Sequence, residues 1–224
     1  MPAIRGVLFD MGHTLVHRVG EADAVVSEAA ALGAAISPAD AKDLWERVQA
    51  AARSPEAMGR GRDLSEEAHR REWVRLWADA DEVAPGLAER MWAHERDPAN
   101  WRLYPDVVEV LDGLRRRQIP VGIVSDTGWD WAEVLDRCGL RERFSTMVMS
   151  FQWGVIKPAP VLFEEACRAL ATAPAETLMV GDNHVADGGA MASGLVVLLL
   201  PAVPAGAERG LRSVLALVDG PADP

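Results

Sequence analysis

The chain has only two cysteines among its 224 residues. Cys138 and Cys167 each fall at an apolar helical position with no CxxC neighbour, which suits small buried hydrophobes and argues against a disulfide framework or a thiolate metal site. Cations are in deficit too: 23 Lys and Arg stand against 34 Asp and Glu, a formal net charge of -11. Such a surface repels a phosphate backbone and no basic cluster reverses it locally, so nucleic acid is not an expected partner. Small anions stay open, because one local cation or a bound metal can dominate the field inside a pocket. The N-terminus lacks the basic start and apolar core of a signal peptide, and the most apolar stretch, residues 194–203, is too short to span a bilayer. The expectation is a soluble cytoplasmic protein with no membrane partner. Repeats and low-complexity tracts are missing, and 49% hydrophobic with 25% charged residues is ordinary for a globular chain. Nothing in the composition specifies an oligomeric state.

What is present is organised around Ile4-Arg5-Gly6-Val7-Leu8-Phe9-Asp10-Met11-Gly12-His13-Thr14-Leu15. A short apolar run ends in a carboxylate, and a glycine and a hydroxyl follow, which reads as a strand handing a charge to a loop. Open α/β sheets bind ligands beyond the carboxyl ends of their parallel strands, so an Asp released there points at a site. Taken alone, the ordinary reading of a turn-forming Asp is the stronger one.

From about residue 20 to 100 the pattern is helical, with no convincing strand. Ser37-Pro38-Ala39-Asp40 is a helix start, with a capping hydroxyl, Pro at the first position and an acid in the first turn. Residues 63–78 and a stretch opened by Pro85 are amphipathic. The Gly/Arg-rich residues 57–62 read as an exposed loop between helices. After Asn100 the pattern alternates: a helix beginning at Pro105-Asp106, strands at 119–124, 146–149, 177–180 and 195–199, and helices at 129–138, 160–170 and 185–192. Near-continuous apolar strands between amphipathic helices predict a parallel sheet covered on both faces. Asp10's strand needs parallel neighbours, and the helical stretch supplies none. The economical arrangement is an α/β core of residues 1–16 and 101–224, with residues 17–100 inserted as an all-α unit and a crevice between the two.

Three further stretches carry chemistry. Ser125-Asp126-Thr127-Gly128 ends a strand directly before a predicted helix, where a hydroxyl and unpaired amides can hold a phosphate oxygen; plain helix capping is the even alternative. Lys157 lies in Gly154-Val155-Ile156-Lys157-Pro158-Ala159-Pro160, a proline-braced loop that can aim a point charge, although most lysines are solvated. Asp182 and Asp187 flank a strand-to-helix turn in which Gly181 permits close backbone approach. Clustered with Asp10 they would repel one another, and a divalent cation resolves that conflict. Mg²⁺ is the natural choice where phosphate oxygens complete an octahedron.

In order and context, Asp10, Ser125, Lys157 and the pair Asp182/Asp187 resemble the haloacid dehalogenase (HAD) superfamily, over roughly two-thirds of the chain. The resemblance implies a Rossmann-like core and a helical cap of the first type. It implies that Asp10 is the nucleophile forming an aspartyl-phosphate, that Ser125, Asp126, Thr127 and Lys157 surround the phosphoryl group, and that Lys157 screens Asp10. Mg²⁺ would be held by Asp10, the Gly12 carbonyl and Asp182, with Asp187 acting through water or by orienting Lys157. Thr14 would steady the loop.

One departure matters. Family phosphatases carry a second Asp two residues after the nucleophile as general acid and base, and here Gly12 stands there. Its carbonyl survives the change, but proton transfer does not, which penalises alkyl phosphates most and acyl or aryl phosphates least. His13 is the nearest possible proton donor, and His184 could line the entrance. His17, His69 and His94 have no visible partners and read as solvent-facing helix residues. Three readings follow: a Mg²⁺-dependent phosphohydrolase for a small phosphorylated metabolite, which is preferred; a dehalogenase, which needs no acid for a departing halide but has no use for the acidic pair; and a phosphate-binding protein without turnover, supported only by Gly12. The tryptophans 45, 73, 77, 92 and 101 read as packing, and Trp129 as pocket or core.

Overall fold

The computed structural model of the protein describes residues 3–219. The chain opens with β1 (Gly6–Phe9) and β2 (Val16–Arg18), then runs through α1 (Glu21–Ala31), α2 (Pro38–Ala52), α3 (Pro55–Gly59), α4 (Glu66–Leu76) and α5 (Leu87–Arg96) to β3 (Trp101–Leu103). It continues as α6 (Val107–Arg116), β4 (Val121–Ser125), α7 (Ala132–Arg137), β5 (Thr146–Met149), α8 (Ser150–Trp153), α9 (Pro160–Leu170), β6 (Thr177–Gly181), β7 (Val196–Leu199) and α10 (Arg212–Asp219).

Five strands form one parallel sheet in the order β5-β4-β1-β6-β7. The strand carrying the first carboxylate is therefore central, between strands more than a hundred residues away. Val7 and Phe9 pack with Val110, Leu111 and Leu114 of α6 on one face. Leu8 packs with Leu162, Phe163 and Ala166 of α9 on the other. This period-two division is that of a strand buried on both sides, so the α/β Rossmann-like class expected from the sequence holds. Register then sets the site: Phe9 pairs with Ile123 and Val180, so that Asp10, Ser125 and Asp182 all emerge at one edge of the sheet.

Helices α1, α2, α4 and α5 bury their apolar faces in a core of their own, around Val25, Leu44, Trp45, Val48, Trp77, Leu87 and Met91. Ser37, Ser54 and Ser65 each accept a hydrogen bond from the amide three residues on, which fixes the starts of α2, α3 and α4. An antiparallel ribbon of β2 and β3, with Val16 opposite Leu103, ties this unit to the sheet. The sequence gives no sign of the ribbon, because three-residue strands leave no periodicity to read.

Several local expectations need correction. Residues 57–62 are not a free loop: α3 covers their first half, and Arg62 lies over the Trp73 ring at 4.9 Å while donating to the Ala52 carbonyl at 3.2 Å. The helix expected at 129–138 begins at Ala132, since Trp129 and Trp131 turn inward and pack against one another, tilted, with centroids 4.2 Å apart. The helix expected at 185–192 is a short 3₁₀ segment over Gly188–Ser193, because the Asn183 side chain takes the amides of Val185 and Ala186 into a turn. The three histidines are not solvent-facing. His17 is buried in β2 against Tyr104, with ring centroids 4.9 Å apart. His69 is buried between the indole N–H groups of Trp73 (3.0 Å) and Trp92 (3.3 Å), and its Cβ occupies the space a side chain at Gly128 would need. His94 is half-buried beside Glu28 at 3.5 Å. Both cysteines are free, as expected, and no described helix is long and apolar enough to cross a membrane.

Candidate active site

Asp10 leaves β1 into a pocket where it is 8% exposed. Its Oδ1 accepts from Lys157 Nζ at 2.8 Å and its Oδ2 from the Thr14 hydroxyl at 3.3 Å, so Thr14 ties the loop after β1 back to Asp10. Lys157 lies between α8 and α9, 4% exposed and followed by a cis peptide bond to Pro158. Its ammonium donates to Asp10 Oδ1, to Asp187 Oδ1 at 2.6 Å and to the Val124 carbonyl at 3.1 Å. Those three acceptors use all the donors a lysine has, which is what burying the charge requires. The loop is held from outside as well, by the Lys157 amide donating to Asp126 Oδ1 at 2.8 Å.

Asp187 is fully buried, and its second oxygen accepts the amides of Asp182 (3.0 Å) and Asn183 (2.9 Å). A Cβ at position 181 would stand 2.1 Å from that oxygen, so Gly181 is what lets the carboxylate fold back on its own turn. Asp182 is exposed at the rim. One carboxylate oxygen from each of Asp10, Asp182 and Asp187 lies within 4.8 Å of the other two.

Three carboxylates around one ammonium leave an excess of negative charge. Burial pushes Asp10 up to about 7; Asp187 and Asp182 add to the rise and Lys157 opposes it. Asp182 is raised as well, by burial and then by Asp187. Burial works against the charged form of Lys157, but Asp10 and Asp187 outweigh it and hold the ammonium above the ordinary lysine range. A cluster of oxygen donors with net negative charge fits a hard divalent cation, and Asp10 and Asp182 have lone pairs to offer it. Asp187, with both oxygens engaged, is placed to orient Lys157.

Ser125 is buried at the end of β4; its Oγ accepts from the Trp131 indole at 3.2 Å, and its proton has no acceptor among the described residues. Its neighbours are differently committed. Thr127 spends its hydroxyl on the Trp129 backbone (3.0 Å to the carbonyl, 3.2 Å from the amide) and its amide on Ser150 Oγ at 2.9 Å. Asp126, raised to about 6 by burial against the pull of Lys157, braces the lysine loop. With the helix starting at Ala132, the amides after Ser125 belong to a turn.

Gly12 has open space where a side chain would go: no atom lies within 4 Å of the Cβ position. His13 follows with φ 58, its ring exposed. Loss of solvation around the ring, then the guanidinium groups of Arg18, Arg53 and Arg209, hold its pKa down at about 4. A neutral imidazole at pH 7 is better suited to accept a proton than to give one. The sequence carried no signal for Arg209, which is 2% exposed and donates from Nε to the His13 carbonyl at 2.5 Å and from Nη1 to the Pro201 carbonyl. Buried Asp106 accepts the amides of Arg209, Gly210 and Leu211, anchoring this clamp on the loop that follows β1. His184 is exposed near Asp182.

A family model described as haloacid dehalogenase-like hydrolase matches residues 4–194. Haloacid dehalogenase-like hydrolase domain-containing protein 3 of Bos taurus is 31% identical over 109 residues, 49% of this chain and 43% of that protein. Phosphoserine phosphatase of Thermus thermophilus is 33% identical over 144 residues, 62% of this chain and 55% of that protein. The chain spans about half the length of the curated relatives it matches. A HAD phosphatase of Thermococcus onnurineus superposes with a TM-score of 0.64 at 26% identity, covering 97% of this chain and 99% of that one. The chain belongs to the haloacid dehalogenase-like hydrolases.

Proposed function

We propose that the protein is a Mg²⁺-dependent phosphohydrolase that acts on a small phosphorylated metabolite through an aspartyl-phosphate on Asp10. The observation that carries this reading is the convergence of Asp10, Asp182 and Asp187 within 4.8 Å, with Lys157 bridging two of them. Halide displacement has no use for such an excess of carboxylates. The likeness to the phosphoserine phosphatase of Thermus thermophilus supports the same choice. In this reading α1 to α5 form the cap over the site, and Asp10 and Asp182, with the Gly12 carbonyl, would hold Mg²⁺. When bound, the ion neutralises the carboxylates and the negative charge of the phosphoryl oxygens.

The chain's own groups then divide the work. One carboxylate oxygen of Asp10 attacks phosphorus as the bond from phosphorus to the leaving oxygen breaks, while Thr14 and Lys157 fix its orientation; water then hydrolyses the aspartyl-phosphate. Lys157 moves part of its hydrogen bonding from Asp10 to a phosphoryl oxygen as charge develops there. Ser125 donates its unpaired proton to another. Asp126 and Thr127 keep the loops around the phosphoryl group in place. No carboxylate at position 12 protonates the departing group, and His13 offers only a neutral ring. Phosphate release is therefore expected from aryl and acyl phosphates in the presence of Mg²⁺, with weak turnover of alkyl phosphates. Halide release from 2-haloacids, with no phosphate release from any of these, would overturn the reading.

Metal binding is expected to depend on pH in a defined direction. Asp10 keeps a proton up to about pH 7 in the metal-free protein, and the cation must displace it. Mg²⁺ affinity should rise roughly tenfold per pH unit between about pH 5 and 7, then level off. The proton on Asp10 stabilises the folded chain below the unfolded carboxyl value, and this contribution is lost as the pH rises through about 7. Thermal midpoints without Mg²⁺ should fall over that interval and recover when Mg²⁺ is added. A metal affinity that is flat from pH 5 to 8 would show that Asp10 is not a ligand.

A further inference from the structure

Helix α7 begins at Ala132, and the turn before it carries two indoles inward. Packing accounts for the rings: Trp131 stands edge-on to Trp101 of β3, with centroids 4.8 Å apart at 86°, and lies tilted against Trp129 at 4.2 Å. Packing does not account for the polar atom. A buried indole N–H needs an acceptor, and that of Trp131 finds Ser125 Oγ at 3.2 Å, both side chains being buried. The start of α7 makes no call on this group, since the Ala132 amide is taken by Asp130 Oδ1 at 2.8 Å.

The direction of the bond decides what it does. An indole nitrogen only donates, so Trp131 occupies a lone pair of Ser125 Oγ and leaves the single hydroxyl proton for another partner. A serine hydroxyl otherwise rotates to suit its surroundings; with a donor fixed on one side, the position in which its proton meets the indole proton is disfavoured. Accepting a hydrogen bond also polarises the hydroxyl and makes it the better donor. The ring is held in place from behind. Trp101 donates from its own indole to the Glu95 carbonyl at 2.8 Å and has the Arg18 guanidinium 5.2 Å from its ring centroid. Trp129 is tied through its backbone to the Thr127 hydroxyl, two residues after Ser125.

We infer that Trp131 is a positioning residue of the phosphoryl site: it holds Ser125 as a hydrogen-bond donor, with the hydroxyl proton aimed at an oxyanion before one arrives. The inference rests on the phosphohydrolase reading for the group that Ser125 meets, and it adds a residue that acts only through the serine.

The test is a double-mutant cycle read by calorimetric titration of inorganic phosphate into the Mg²⁺-loaded protein. Trp131→Phe keeps an aromatic ring in the cluster but has no N–H, and it should weaken phosphate binding roughly three- to tenfold, the worth of one oriented hydrogen bond. Ser125→Ala should cost at least as much. The double variant should bind no more weakly than Ser125→Ala, because the indole has nothing left to orient; losses that multiply in full would show that Trp131 only fills space and would overturn the inference. A second measurement needs no change at position 131. Among the indole N–H signals of the eight tryptophans in a ¹⁵N spectrum, the one displaced by Ser125→Ala should also move when phosphate is added to Mg²⁺-loaded wild type. A signal that responds to the substitution and not to phosphate would equally overturn the inference. Hydrolysis of p-nitrophenyl phosphate, assayed separately, reports on the phosphohydrolase reading: turnover with independent effects at positions 125 and 131 sinks only the positioning role, whereas coupled phosphate binding without turnover sinks only the reading.

Discussion

Asp10→Asn is expected to lower phosphate release from p-nitrophenyl phosphate by on the order of 10⁴-fold or more, the scale seen when a covalent nucleophile is removed. The amide has nearly the shape of the carboxylate, so the packing of β1 against β4 and β6 is unaffected and the loss reports chemistry alone. The same variant should be more stable without metal. Lys157 would keep Asp187 and the Val124 carbonyl as acceptors, while one buried carboxylate that is pushed up to about 7 would leave a cluster with too many. A gain of about 1 kcal/mol would raise the thermal midpoint by roughly 2–4 °C in a chain of this size. The two signs belong together, because a site that holds like charges close for catalysis gives up stability to do so. Adding Mg²⁺ should reverse the ranking, since wild type gains binding energy that the variant has largely lost. An Asp10→Asn protein that releases phosphate at the wild-type rate would show that another group attacks; one less stable than wild type without metal would show that the Asp10–Lys157 contact outweighs the crowding.

How much of this was legible beforehand depended on whether a residue's partner was local or distant. The runs ending at Asp10, Ser125 and Asp182 are apolar at nearly every position because each strand is buried on both faces, and that signal survives in one sequence. Lys157 and Asp187 were legible through their settings, two prolines in one case and a glycine-flanked turn in the other. Arg209 was not, because it reaches the His13 carbonyl from an irregular segment whose anchor, Asp106, lies 103 residues earlier. The pairing of His69 with Trp73 stands at helical i,i+4 spacing and was open to inspection, but its second indole, Trp92, comes from another helix. Trp129 and Trp131 misled for the opposite reason: they continue a helical pattern, yet an aromatic cluster with Trp101 wins over local propensity and delays α7. At Thr127 the residue type was right for holding an anion, and only the coordinates reveal that its hydroxyl and amide are already spent.

Gly12→Asp is the converse experiment, a gain in place of a loss. Turnover of alkyl phosphates should rise by about 10²- to 10⁴-fold, the usual worth of a positioned general acid and base, whereas aryl phosphates, whose leaving groups need little help, should change far less. The backbone permits the change. Gly12 does not adopt the left-handed conformation that glycine alone tolerates, and the Cβ position has nothing within 4 Å, so the new side chain enters space already open. Electrostatics set its cost. A further carboxylate beside Asp10, Asp182 and Asp187 enlarges the negative excess, so the variant should be less stable than wild type without metal and should depend more steeply on Mg²⁺. Measured as the ratio of kcat/KM for an alkyl over an aryl phosphate, the expected change is large enough to survive modest losses in folding. A ratio unmoved in a folded, Mg²⁺-responsive variant would mean that the leaving group is already protonated in wild type, by the substrate itself or by His13. His13→Ala would separate those two, because only a protein that relies on the imidazole would lose alkyl turnover when it is removed.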